Sequence, residues 1–151
     1  MTANLPTAGV FEGREHVLPV RVYYEDTDLT GVVYHANYVR YFERGRSDFL
    51  RLAGVSHASL LLLDQPAAFA VTRLAIEFRS AARIDDALEV RTLFESTRGV
   101  RLNIAQRIVR DGAVVATAAV EVVCIDGQGR ARRPPREVID AVAPWFSPAA
   151  P

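Results

Sequence analysis

The sequence predicts an α+β protein: one strand, one long amphipathic helix, then a run of antiparallel strands. Three observations carry this. Residues 17–24 alternate apolar and polar positions, residues 37–53 repeat apolar or small positions at steps of three and four, and the chain from the low seventies to 126 returns to period two, cut by turn residues. A length of 151 residues fits one domain with its own core. The reading divides the chain into a flexible lead-in over 1–16, a single domain over 17–146 and a tail over 147–151.

The first strand is expected over Val17–Tyr24. The helix is expected from Asn37, an N-cap by residue type, to Ala53, with Gly54 as its C-cap. Tyr38, Phe42, Gly45, Phe49 and Leu52 fall on one helical face. A mid-helix glycine costs about 1 kcal/mol against alanine, so Gly45 predicts a helix lying against a sheet where no side chain fits. Ser56–Leu63 predicts a short second helix capped by Ser56.

In the strand region Leu74, Ile76 and Phe78 alternate with Ala75, Glu77 and Arg79, and Leu88, Val90, Thr92 and Phe94 alternate with Glu89, Arg91, Leu93 and Glu95. Leu102, Ile104 and Ile108 share a face, and Asp111-Gly112 is a hairpin signal. Val114–Ile125 is apolar or small on both faces except at Thr117 and Glu121, which predicts a central strand covered on both sides. Phe69 and Val71 are apolar on odd numbers, Leu74 and Ile76 on even ones. That phase change predicts a bulge near 70–73, a feature common beside active sites, and makes Val71 and Thr72 candidates to flank a substrate. Arg136–Phe146 predicts a C-terminal helix.

Composition narrows the function. Eighteen basic and eighteen acidic residues balance, so there is no basic footprint for nucleic acid. Every basic residue is arginine, which excludes Schiff-base and lysine general-base chemistry. The single cysteine, Cys124, lies in an apolar strand pattern and reads as a core residue. With no apolar leader and no apolar run long enough to span a bilayer, the expected location is cytoplasmic. Asp26, Asp28, His35 and Glu43 lack a recognised metal-ligand spacing, and no cofactor or metal is expected.

The chemistry concentrates in 24–43, YEDTDLTGVVYHANYVRYFE. A carboxylate at the end of a strand precedes a turn and a helix start. Free N–H groups at a helix start stabilise developing negative charge. Asp28 is ionised at neutral pH unless buried, and it can attack an activated acyl group or deprotonate a water. His35, just before the expected helix, offers its backbone N–H to a carbonyl oxygen. Asp26 reads as structural, bonding turn N–H groups, and Tyr34 as a lining residue of an acyl pocket. Glu43 reads as a partner for an arginine, with catalysis held in reserve. Arg130, Arg132, Arg133 and Arg136 read as a solvated basic tail, with coenzyme A phosphates as the alternative. Gly54-Val55-Ser56-His57-Ala58 lacks the final glycine and the preceding strand of a nucleophile elbow.

Val22, Tyr24, Asp26, Thr27, Asp28, Gly31, Val33, Tyr34, His35, Asn37 and Tyr38, with Phe42 and Glu43 beyond them, carry a family resemblance. The stretch resembles the hotdog-fold acyl-CoA thioesterases of the 4-hydroxybenzoyl-CoA thioesterase type, nearest their Tol-Pal-associated branch. The resemblance implies a long central helix wrapped by a curled antiparallel five-stranded sheet. It implies a homodimer or a tetramer of such dimers, with active sites between protomers. It aligns the family's catalytic carboxylate with Asp28 and its oxyanion N–H with His35. The implied substrate is an acyl-CoA or acyl carrier protein thioester, coenzyme A being part of the substrate. Membrane-associated envelope proteins, met at the inner membrane, are the other partners it suggests. Leu29-Thr30 replaces the smaller pair common in that branch. An acyl-thioester-binding scaffold and a hotdog dehydratase remain the alternative readings.

Overall fold

The computed structural model describes residues 4–146, so the expected tail over 147–151 lies outside them. Six strands form one antiparallel sheet: β1 (Val10–Glu12), β2 (Glu15–Arg21), β3 (Ala68–Phe78), β4 (Ala87–Arg98), β5 (Arg101–Arg110) and β6 (Ala113–Ile125). Their order across the sheet is β1-β2-β4-β5-β6-β3. Helix α1 (His35–Leu52) lies on the concave face, followed by the short α2 (His57–Leu61), and α3 (Arg136–Val142) closes the chain.

The expected count of five strands is corrected to six. The extra strand, β1, falls inside the expected lead-in and pairs Val10 with Val17 and Phe11 with His16. Three residues are too few for an alternation to show. The lead-in is held by polar and aromatic contacts instead. Gly9 N–H donates to Asp48 Oδ2 on α1 at 2.8 Å, and buried His16 Nε2 meets the same oxygen at 2.8 Å. Phe11 stacks on Trp145, centroids 4.1 Å apart. Burial pushes the His16 imidazole below its usual pKa against the opposing pull of Asp48. The next strand, β2, begins and ends earlier than expected, because Tyr24–Asp26 turns as a 3-10 helix.

Helix α1 starts at His35, two residues before the expected Asn37, with Tyr34 at the cap position. Leu52 is exposed rather than on the packed face, while Tyr38, Tyr41, Phe42 and Phe49 are all buried. The helix crosses the sheet at Gly45. A Cβ there would come within 2.8 Å of Val90 Cγ1 and 2.9 Å of Thr92 Oγ1. Beside that crossing, buried Gln106 on β5 donates from Nε2 to the Phe42 carbonyl at 2.8 Å and to Thr92 Oγ1 at 2.9 Å. Its Oε1 accepts from Arg46 Nη1 at 3.0 Å, so both ends of the buried amide are satisfied.

Local signals explain the remaining elements. Asp111 (φ 50°) and Gly112 (φ 81°) both take the left-handed conformation that a two-residue type I′ hairpin needs. Ser56 caps α2 by accepting from the Ser59 N–H at 3.1 Å. The expected C-terminal helix shortens to α3 and a 3-10 turn at Ala143–Trp145, where Pro144 has no N–H to continue the ladder. Strand β6 is interior to the sheet as expected, but one of its faces is open in the subunit, with Ala119 exposed. Cys124 is buried with Val55, Leu60, Ala67 and Val138 in a second small cluster. The pairing of β3 with β6 shifts between Val71 and Arg73, which leaves Thr72 as the extra residue of a bulge. The other side of β3 has no strand partner among the described residues.

Gly45→Ala should lower stability. Forcing a methyl group into this contact costs roughly 1–3 kcal/mol, against a gain of about 1 kcal/mol in helix propensity. Urea unfolding of Gly45→Ala should show a lower midpoint with an unchanged slope, and Gly45→Val a lower one still.

Candidate functional site

The segment between β2 and α1 is folded by its own polar groups. The Asp26 carboxylate accepts the Tyr23 N–H at 2.8 Å, which closes the 3-10 turn. The Asp26 carbonyl accepts twice, from the Tyr34 N–H at 2.9 Å and from Asn37 Nδ2 at 2.8 Å. Asn37 is therefore a clamp within the first turn of α1 rather than its N-cap, the correction that follows from the earlier helix start. Burial, and then the Asp26 carboxylate, push the Tyr41 phenol beneath it above its usual pKa.

Asp28 sits on the loop that this clamp holds. Its N–H donates to the Val32 carbonyl at 2.9 Å, and its carbonyl accepts from the Gly31 N–H at 3.1 Å. Asp28 Oδ1 accepts the Thr30 hydroxyl at 2.6 Å and the Thr30 N–H at 2.8 Å. Those two bonds, the hydroxyl first, hold the carboxyl below the usual carboxylate range. The second oxygen, Oδ2, makes no hydrogen bond among the described residues, and Asp28 lines an open cleft with Tyr24, Leu29 and Ile84.

His35 is the first residue of α1, so its N–H belongs to the set that a helix leaves without an internal acceptor. The ring is exposed and lies against the Tyr34 ring, centroids 4.6 Å apart. The loop and the helix start together present a carboxylate oxygen and a free N–H at the positive end of an eighteen-residue helix. That pairing suits attack on an acyl carbon with stabilisation of its oxygen. Among the described residues no three His, Cys, Asp or Glu side chains converge as a metal site.

Comparison with known proteins decides the family. Residues 22–146 match the family described as the thioesterase-like superfamily. The acyl-CoA thioester hydrolase YbgC of Escherichia coli is 46% identical over 109 residues, covering 72% of this chain and 80% of that one. The acyl-CoA thioesterase YbgC of Haemophilus influenzae is 44% identical over 108 residues, covering 72% and 79%. The solved structure of a probable thioesterase from Bartonella henselae superposes with a TM-score of 0.78 at 38% identity, over 80% of this chain and 99% of that one.

The chain belongs to the thioesterase-like superfamily. It is a hotdog-fold thioester hydrolase.

Within one subunit of this thioesterase the sequence-derived candidates fall into two places. Tyr34 and His35 stand at the start of α1, and Asp28 lies on the loop before it, lining an open cleft with Tyr24, Leu29 and Ile84. Val71 instead lines a cavity of about 110 Å³ beside the middle of α1, with Glu43, Ser47 and His57. Thr72 points its hydroxyl away, donating to Glu121 Oε1 at 2.9 Å across the bulge. Glu43 Oε1 accepts from Ser47 Oγ at 2.7 Å, and the arginine near it is Arg46, which feels the Glu43 charge without a direct ion pair within 4 Å. Ser47 and His57 carried no signal beyond their residue types, because their meeting depends on how α2 folds back on α1. Near the C-terminus, Arg132 and Arg133 line one open cleft with Asp126, and Arg130 and Arg132 both lie near the Asp126 carboxylate. Arg132 donates to the Gln65 carbonyl at 2.9 Å and pins a loop, while Arg136 faces Asp140.

Thr30→Ala removes the stronger restraint on the Asp28 pKa. The Asp28 carboxyl should then titrate higher, and, if its ionised form is the active one, the acid limb of kcat/KM moves to higher pH with it. A pH–rate profile of both proteins on one thioester checks this.

Proposed function

We propose that the protein hydrolyses acyl-CoA or acyl carrier protein thioesters to free acid and thiol, with Asp28 as the attacking carboxylate and the His35 N–H as the oxyanion donor. The observation that carries this reading is the asymmetric hydrogen bonding of Asp28. One oxygen is fixed by Thr30, and the other is free. A carboxyl held below its usual pKa is ionised at neutral pH, as direct attack and general-base activation of water both require; the free oxygen supports direct attack. In that course Asp28 Oδ2 bonds to the acyl carbon and the carbon–sulfur bond breaks. The thiolate leaves and takes a proton from solvent. Water then cleaves the mixed anhydride, releasing the acid and restoring the carboxylate.

A second copy completes the site in this reading. The unpaired edge of β3 supports a homodimer joined edge to edge, or a tetramer of such dimers. Across that join, the Val71–Thr72 bulge of one subunit flanks the acyl group while Tyr34 covers it from the other. The names of the similar proteins agree with acyl-CoA as the thioester.

Thiol release from a panel of acyl-CoAs tests the assignment. Asp28→Asn should lower kcat by at least about a hundredfold. His35→Ala, which keeps the backbone N–H, should retain most of the activity. Single turnover in oxygen-18 water should leave label in the Asp28 carboxyl, which only an anhydride opened at that carboxyl gives; label in the released acid alone excludes that opening and fits water attack at the acyl carbon.

A further inference from the structure

One oxygen in the Asp28 turn carries more donors than the turn needs. Backbone bonds already close the turn: the Asp28 N–H donates to the Val32 carbonyl at 2.9 Å and the Gly31 N–H to the Asp28 carbonyl at 3.1 Å. Gly31 supplies the left-handed φ of 79°. An aspartate that only caps a turn bonds the N–H two residues on, as Oδ1 does with Thr30 at 2.8 Å. The Thr30 hydroxyl then adds a second donor to the same oxygen at 2.6 Å. Thr30 is exposed, so this bond relieves no buried polar group.

For the attack on the thioester these donors are a burden. They stabilise the ionised carboxylate before it reacts, and an interaction stronger in the ground state than in the transition state slows a step. Breakdown of the anhydride reverses the balance. Once Oδ2 is bonded to the acyl carbon, Oδ1 is the carbonyl oxygen of a neutral anhydride. Water adding to Asp28 Cγ turns Oδ1 into an oxyanion, and both bonds from Thr30 become charge-assisted. They are then stronger in the transition state than before it, which is the condition for catalysis. The acyl oxygen, by comparison, is assigned one donor, the His35 N–H.

We propose that Thr30 is a catalytic residue of anhydride breakdown: its hydroxyl and N–H form an oxyanion hole on Asp28 Oδ1 that directs water to the Asp28 carboxyl carbon instead of the acyl carbon. The proposal rests on the reading above, in which Asp28 attacks through Oδ2. Water adds to Cγ and gives a proton to solvent. The oxyanion at Oδ1 collapses, the Cγ–Oδ2 bond breaks, and the acyl group leaves as a carboxylate that takes Oδ2 with it. Asp28 is left with Oδ1 and the oxygen from water.

The test is single turnover in oxygen-18 water of the acyl-CoA that wild type hydrolyses best. Thiol and acid are followed by rapid quench, and label is read in the acid and in the peptide carrying Asp28. Wild type, Thr30→Val and Thr30→Ser are compared; valine keeps the shape and the N–H and loses the hydroxyl. Wild type should place the label in Asp28. Thr30→Val should move label to the acid and lower kcat at least about tenfold. KM should fall with kcat, because thiol leaves before the impaired step, and a burst of thiol should precede the acid. Thr30→Ser should restore the wild-type pattern. A threonine that merely shapes the loop would slow the thiol burst itself and leave the label in Asp28, and that result overturns the proposal. Wild-type label found only in the acid overturns it too. The two readings fail separately. A thiol burst with label only in the acid keeps Asp28 as nucleophile and removes the role of Thr30, whereas thiol release undiminished in Asp28→Asn removes both.

Discussion

The contact between α1 and the sheet at Gly45 governs the rest of the molecule. There the helix backbone lies against Val90 and Thr92 with no side chain between them. The approach brings the Phe42 carbonyl within reach of Gln106, a buried polar group that would be costly if left unpaired. Steric contact and hydrogen bond therefore specify the same depth for the helix. Tyr38, Phe42 and Phe49 can bury fully only at that depth. The buried amide adds something that apolar packing alone lacks: it fixes the rotation and the axial position of the helix.

Once α1 is placed, everything mounted on it is placed too. An α-helix rises about 1.5 Å per residue, so the N–H of His35 stands roughly 12 Å from Glu43 and 18 Å from Ser47 along the axis. A rigid helix does not bring its start and its middle together. One subunit thus displays a charge-stabilising end and an apolar hollow as separate surfaces, and the open edge of β3 runs past the hollow. The Asp26–Asn37 clamp has the complementary effect at the other end. It ties the loop that carries Asp28 to the helix start.

Much of this was legible in the sequence where one residue type has one physical meaning. Gly45 announced the close crossing, Asp111-Gly112 its hairpin, and the change of phase after Val71 the bulge. Asp28 and His35 were singled out only through the long ordered motif around them; composition and spacing alone left them as one carboxylate and one histidine among others. What stayed hidden depended on partners distant in the chain. Strand β1 was obscured because it is three residues long and is held by Asp48, Phe49 and Trp145. Asn37 looks like a cap by type, and only the fold of the preceding loop makes it a clamp on the Asp26 carbonyl. Ser47 and His57 meet through the return of α2, which no local pattern encodes.

The edge of β3 has a consequence for how the chain behaves in solution. Eleven residues of strand expose backbone donors and acceptors on one side, with Val71 and Phe78 protruding beside them. A lone subunit is therefore a template for indiscriminate strand addition. Arg73 and Glu77, both exposed on the same strand, act as gatekeepers, because a neighbour joining in the wrong register sets like charges side by side. Whatever covers this edge removes that hazard, so the solubility of the chain is tied to what the β3 edge meets.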